Sequence, residues 1–147
     1  MTMKEQHEKF REAVAMLQER DMESASLVRE VKANCANPLI CLVMDIIEND
    51  AVVHARIEEV IAQSLEGKAL SFSPEEIGEV IGLIRKHVDL KRQAAALAEE
   101  TIGEVTDKSL GLQTFLMRGL LADEKKHGDL LEGIERVRSH LYPYWAH

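Results

Sequence analysis

The sequence holds little of what interrupts helices or builds sheets. Of 147 residues, three are proline and eight are glycine, and aromatics make up 4%. Such a composition does not suit a sandwich or barrel, which needs many strands, turns and aromatic core residues. Two cysteines, Cys35 and Cys41, flank Asn37-Pro38 without the C-x-x-C spacing of a zinc or redox site. They are read as reduced, partly buried thiols in a reducing compartment. No apolar run approaches the ~20 residues that span a bilayer. Residues Met1 to Arg11 are charged throughout, without the apolar core of a signal peptide. A cytoplasmic protein with no membrane partner is expected. Basic residues are also short, 18 against 26 acidic ones, and the formal charge of −8 repels a phosphate backbone. Nucleic acid is therefore not an expected partner.

What is present is 46% hydrophobic and 30% charged, and long stretches between the breakers are rich in Ala, Leu, Glu, Lys, Arg and Ile. These side chains lose little rotamer freedom in a helix. At this length one domain is expected, spanning residues 1–147. Thr2 with Glu5 forms a capping-box pattern that opens a first helix over about 3–34, with Phe10, Val14, Leu17, Ser24, Val28 and Val31 along it. Asn37 caps a second helix, about 38–66, with Pro38 at its first position, and Gly67 ends it. Ser73-Pro74-Glu75-Glu76 opens a third, about 74–103, with Gly103 suited to its C-cap. Thr106 or Asp107 caps a fourth, about 107–141, and the tail 142–147 is expected to lie against the bundle through Trp145. Four helices of roughly 30 residues, each about 45 Å long, with short connections, predict an all-α four-helix bundle.

The apolar stripes are interrupted near the middle of each helix. The interruptions are Asp50 and His54 on the second helix, His87 and Lys91 on the third, and Glu124 and His127 on the fourth, with Asp21, Glu19 or Glu23 on the first. Folding each helix back on the one before it, about residues 36, 70 and 106, brings these groups to one height. Several ionisable groups buried together need pairing, neutralisation or a cation, so a metal is the leading candidate. Glu124-x-x-His127 puts a carboxylate and an imidazole on one helical face, as i, i+3 pairs do in metal-binding bundles. Asp50 and His54, at i, i+4, can point together in the same way. The two helix pairs also form a weak repeat: the displacement that takes His54 to His127 takes Asp50 to Asp123, Ile47 to Leu120, Val43 to Leu116 and Ile61 to Ile134.

The stretch Asn37-Pro38-Leu39-Ile40, then Ile46 to His54, then Asp123-Glu124-Lys125-Lys126-His127, resembles the second and fourth helices of ferritin-like, rubrerythrin-related proteins. The resemblance covers about residues 10 to 137. It implies a ferritin-like bundle and a non-haem metal site that reacts with oxygen or peroxide. In the family, each half gives one Glu from its first helix and an E-x-x-H from its second. Here Glu124 and His127 match the fourth-helix motif, and His54 matches the second-helix histidine. Ala51 stands where the second-helix Glu belongs, Lys91 near the third-helix Glu, and Gln18 near its counterpart on the first helix.

Asp50, Glu19 and His87 are neighbouring substitutes. The resulting set of His54, His87, Glu124 and His127, with Asp50, is nitrogen-rich and favours one iron or zinc ion over two. No rubredoxin-like C-x-x-C pair is present, so electrons would come from an external donor. A homodimer is expected, as the common symmetric state.

Two alternatives follow from the same residues. Lys91 beside Glu124 can supply the positive charge itself, which makes the cluster a metal-free ion-pair network in a structural or interaction module. His54-Ala55-Arg56-Ile57-Glu58 also fits the H-x-x-x-E of hemerythrin-like bundles, whose short connections match residues 67–73, a stretch of at most ~25 Å. Against it, the first helix offers only His7, far from the level of His54.

Overall fold

The computed structural model describes residues 1–67 and 74–141, with side chains for 1–67 and 75–137. Among these residues the chain is helical, without strands. It forms α1 (Met3–Asn34), α2 (Pro38–Leu65), α3 (Pro74–Glu104), a 3-10 turn (Lys108–Leu110) and α4 (Gly111–Leu141). Local chemistry sets the ends. Thr2 closes a full capping box: its hydroxyl accepts from the Glu5 N–H at 3.2 Å, and Glu5 accepts from the Thr2 N–H at 2.6 Å. These bonds to Thr2 hold the Glu5 carboxyl below its ordinary range. Cys35 and Asn37 are extended, as the residue before Pro38 must be, and Asn37 Oδ1 accepts from the N–H groups of Leu39 and Ile40 at 3.0 and 3.2 Å. Gly67 adopts φ 82°, a left-handed geometry that needs no Cβ, and ends α2 as expected.

Three boundaries differ from the sequence reading. α2 stops at Leu65, with Glu66 as its C-cap. α3 passes through Gly103, which keeps a negative φ, and ends at Glu104. The fourth helix starts as a 3-10 turn: Asp107 accepts from the Ser109 N–H at 2.9 Å, and α4 proper follows from Gly111. The expected Ser73 cap and the Trp145 contact lie outside the described residues. No described helix is long and apolar enough to cross a membrane.

The chain divides into two compact units, Met1–Ser71 and Phe72–His147, where the composition predicts one domain. Each is a helical hairpin, α1 along α2 and α3 along α4. The first is antiparallel: Arg11, early in α1, reaches the Leu65 carbonyl at the end of α2, and Lys32, late in α1, reaches Asp45 and Glu48 near its start. Those two carboxylates, Asp45 foremost, raise the Lys32 ammonium well above its usual value. In the second, Arg85 meets Glu135 at 2.7 Å, Lys91 meets Glu124 at 3.0 Å, and Arg92 bridges Asp129 and Glu132. Arg92 lies over the buried Gly128, where a Cβ would come within 3.1 Å of its guanidinium.

The seams follow a 4-3 repeat, the signature of coiled-coil packing. In α3 the half-buried and buried positions include Ile77, Ile81, Ile84, Val88, Lys91, Ala95, Ala98 and Ile102, with Val105 just past its end. In α4 they include Thr114, Met117, Leu121, Glu124, Gly128 and Leu131. In α1 the corresponding row is His7, Val14, Asp21, Ala25 and Val28, with the C-cap Cys35 beyond them, and in α2 it is Cys41, Met44, Ala51, Glu58, Ala62 and Leu65. The cysteines are free thiols, and Cys41 Sγ donates to the Cys35 carbonyl at 3.5 Å.

Phe10 and Leu17, placed by the sequence on the same stripe as Val14 and Val28, face outward with more than half their surface exposed. They sit beside the seam, one position of the repeat away, and belong to a second row. Because the Asn37 cap satisfies two orphan N–H groups at the start of α2, Asn37→Ala is expected to lower stability by about 1 kcal/mol in urea unfolding.

Candidate functional site

Each hairpin seam contains one ionisable pair near its middle. In the first, Glu58 is buried, with 5% of its surface exposed, and it shares a hydrogen bond with Asp21. Two carboxylates in contact cannot both ionise cheaply. The bond to Asp21 is the largest cause pushing the Glu58 carboxyl up from its ordinary value of 4.5. Burial and the Asp21 charge add to it, and nearby His54 opposes them. In the second hairpin, Lys91 Nζ lies 3.0 Å from Glu124 Oε2, with each side chain 23% exposed. That oxygen is buried and accepts no hydrogen bond, so Lys91 acts on it as a charge outside hydrogen-bonding geometry. This is the Lys91–Glu124 contact that the metal-free reading anticipates.

The remaining predicted residues lie on a second row of each hairpin. On α2 the row is Ile40, Val43, Ile47, Asp50, His54, Ile57 and Ile61, with Asp50 half-buried and His54 exposed. On α4 it is Leu116, Leu120, Asp123, His127, Leu130, Ile134 and Val137, with Asp123 and His127 half-buried. On α3 it is Val80, Leu83, His87, Leu90, Ala94 and Leu97, with His87 exposed. Both α3 and α4 carry this row on the same side of their hairpin. The other side holds the cross-helix pairs of Arg92 with Glu132 and of Lys125 with Glu99, and in an antiparallel pair the two flanks of the seam face opposite ways. The repeat seen in the sequence is thus physical: each hairpin has an apolar outward face, interrupted midway by Asp-x-x-x-His.

The structure therefore divides the five predicted ligands. Asp50 and His54 share the outward row of the first hairpin. His87 and His127 share the outward face of the second, while Glu124 turns into the seam toward Lys91. Among the described residues no three of His, Cys, Asp and Glu are grouped to hold a metal ion.

The sequence reading did not single out the Asp21–Glu58 pair. Folding about residue 36 sets position 51 opposite 21, whereas the seam brings Glu58 beside Asp21. The signal was available, since Glu58 stands seven residues from both Ala51 and Leu65 and so on the seam row. His7, the one histidine of the first helix, is half-buried on the α1 row.

The Asp21–Glu58 pair fixes a sign for pH dependence. A carboxyl raised in the folded state contributes stability that is full below its unfolded value and is lost as pH rises through the folded one. Glu58→Gln, which keeps a hydrogen bond to Asp21 without a second charge, is expected to raise stability at pH 7. It should also flatten the part of the stability profile that falls from about pH 4.5 upward, as read by urea midpoints across pH. No protein-family model, curated protein or solved structure matches the chain.

Proposed function

We propose that the chain is a ferritin-like, four-helix-bundle metal protein. A mid-bundle metal site would then be built from Asp50, His54, His87, Glu124 and His127. The observation that carries this reading is the matched interruption: Asp50 with His54 and Asp123 with His127 occupy equivalent places in two otherwise apolar rows. Pairing such rows buries the leucines and isoleucines that flank them, and it drives the imidazoles and carboxylates into one low-dielectric layer. Ionisable groups so placed need a cation or each other.

The residues fit one ion and not two. Each hairpin carries two of the five predicted ligands on its outward face, and Ala51, Gln18 and Lys91 stand where a di-iron centre needs carboxylates. A set of three imidazoles and one or two carboxylates suits a single iron or zinc. Glu124 would have to exchange Lys91 for the ion, and its unbonded buried oxygen is the group that gains by doing so. Bound iron would supply redox chemistry toward oxygen or peroxide, with electrons from an external donor. The protein's part would be to hold the imidazoles near Asp50 and Asp123 and to exclude water with the leucines around them.

A second reading rests on the Lys91–Glu124 contact. If Lys91 already neutralises the layer, the bundle is a metal-free structural or interaction module. Elemental analysis of protein purified without chelator separates the two. The metal reading expects near-stoichiometric iron or zinc, lost in His54→Ala and His127→Ala, and a melting temperature that falls on chelation. Absence of metal together with a melting temperature indifferent to EDTA overturns it in favour of the module.

A further inference from the structure

We infer, resting on the metal reading, that Lys91 is a resident counter-cation which a divalent metal displaces from Glu124, so that the site loads and unloads without unfolding the hairpin. Among the described residues Glu124 pairs with Lys91 alone, at 3.0 Å, and its buried Oε2 accepts no hydrogen bond. The contact is held by charge without direction. A metal ion that makes a coordination bond to that oxygen supplies what the ammonium leaves unmade.

The guanidinium pairs of the same hairpin are anchored differently. Arg92 donates to Glu132 and Asp129 at 3.2 and 3.0 Å, and Arg85 Nε donates to Glu135 at 2.7 Å. Planar donors fixed by such bonds are pre-organised on their carboxylates. Lys91 has one carboxylate partner and a flexible four-carbon stem. Its neighbours one turn away along the seam are the modest Val88 and Ala95, and the side chain is only half-buried. The ammonium can therefore swing into water while its stem stays over the seam.

Exchange is required because an ammonium and a dication on one carboxylate oxygen are like charges in contact. Glu124 stands three residues from His127, the spacing at which side chains of one helix meet. Turning the carboxylate from the seam toward His127 is a rotation of one side chain, and it leaves Lys91 to solvent. Only molecules with Glu124 released from Lys91 are competent to bind, so the apparent affinity falls by that fraction. In the metal-free hairpin Lys91 keeps the half-buried carboxylate compensated. A merely structural lysine behaves otherwise, since its loss weakens the fold and the site together.

Zinc titration of the full chain, stripped of metal and read against a chromophoric chelator, tests this. Lys91→Met keeps the stem and removes the charge. It is expected to bind zinc about tenfold more tightly than the wild type, while its metal-free form melts at a lower temperature because Glu124 has lost its cation. The wild type gives a second measurement that needs no variant to fold: zinc should raise acylation of Lys91 several-fold relative to the exposed Lys108, read by peptide mass spectrometry. Zinc uptake by Lys91→Met alone also supports exchange. Uptake by both proteins with equal or weaker binding in the variant, or with acylation of Lys91 unmoved by zinc, overturns the inference and leaves the metal reading standing. Uptake by neither overturns both.

Discussion

The arrangement rests on where the large apolar side chains are placed. Within each hairpin the helices meet through small residues and ionisable pairs, Ala25, Val28 and Ala51 around Asp21–Glu58, and Ala95, Ala98 and Gly128 around Lys91–Glu124. Isoleucines and leucines such as Ile77, Ile81, Ile84, Leu121 and Leu131 fill the rest of the second seam, but many of the large apolar side chains stand outside it. Leu83, Leu90, Leu97, Leu120 and Leu130 each expose more than half their surface within the second hairpin, as do Phe10, Leu17 and Leu27 in the first. Small residues let helix axes approach closely but bury little area around the ionisable pairs. Under the proposed function a further hydrophobic contribution would come from covering the outward faces, at about 25 cal/mol for each Å² of apolar surface removed from water.

This division of labour accounts for the polar groups as well. A carboxyl pair such as Asp21–Glu58 costs stability at neutral pH, since burial and the neighbouring carboxyl both disfavour the charged form of Glu58. The Lys91–Glu124 pair is closer to neutral in cost, because charge compensates charge. In each hairpin the seam pair lies close to the Asp-x-x-x-His interruption of the outward row: Glu58 stands four residues from His54, and Glu124 three from His127. In the second, Glu124 belongs to the seam and stands three residues from His127 on the face, so it can answer to Lys91 or to a ligand shared with the imidazole.

Much of this was legible in the sequence, and what was missed has a physical cause. Helix starts were readable where a side chain does the capping, as with Thr2 and Asn37, because capping is local chemistry. Helix ends were less so: Gly103 tolerates a helical φ as well as a turn, and nothing local told the chain to stop one residue later. The Lys91–Glu124 contact was legible from the interrupted stripes. What a single stripe per helix could not convey is that each helix carries two rows. Phe10 and Val14 look alike in a 3.6-residue pattern, and only the 4-3 repeat across the pair separates the seam from the face. Glu58 was hidden for the same reason, since a glutamate reads as solvated surface until its place on the Ala51–Leu65 row is counted.

The central claim is that the outward rows of α3 and α4 are covered in the native protein. Cysteine accessibility tests it most directly. Leu90→Cys and Leu130→Cys, each in a background without Cys35 and Cys41, should react with a thiol-labelling reagent far more slowly in the folded protein than in urea. A cysteine at the charged position Lys126 should react at nearly the same rate in both. Labelling of Leu90→Cys and Leu130→Cys as fast as Lys126→Cys in a folded, helical protein would contradict the account.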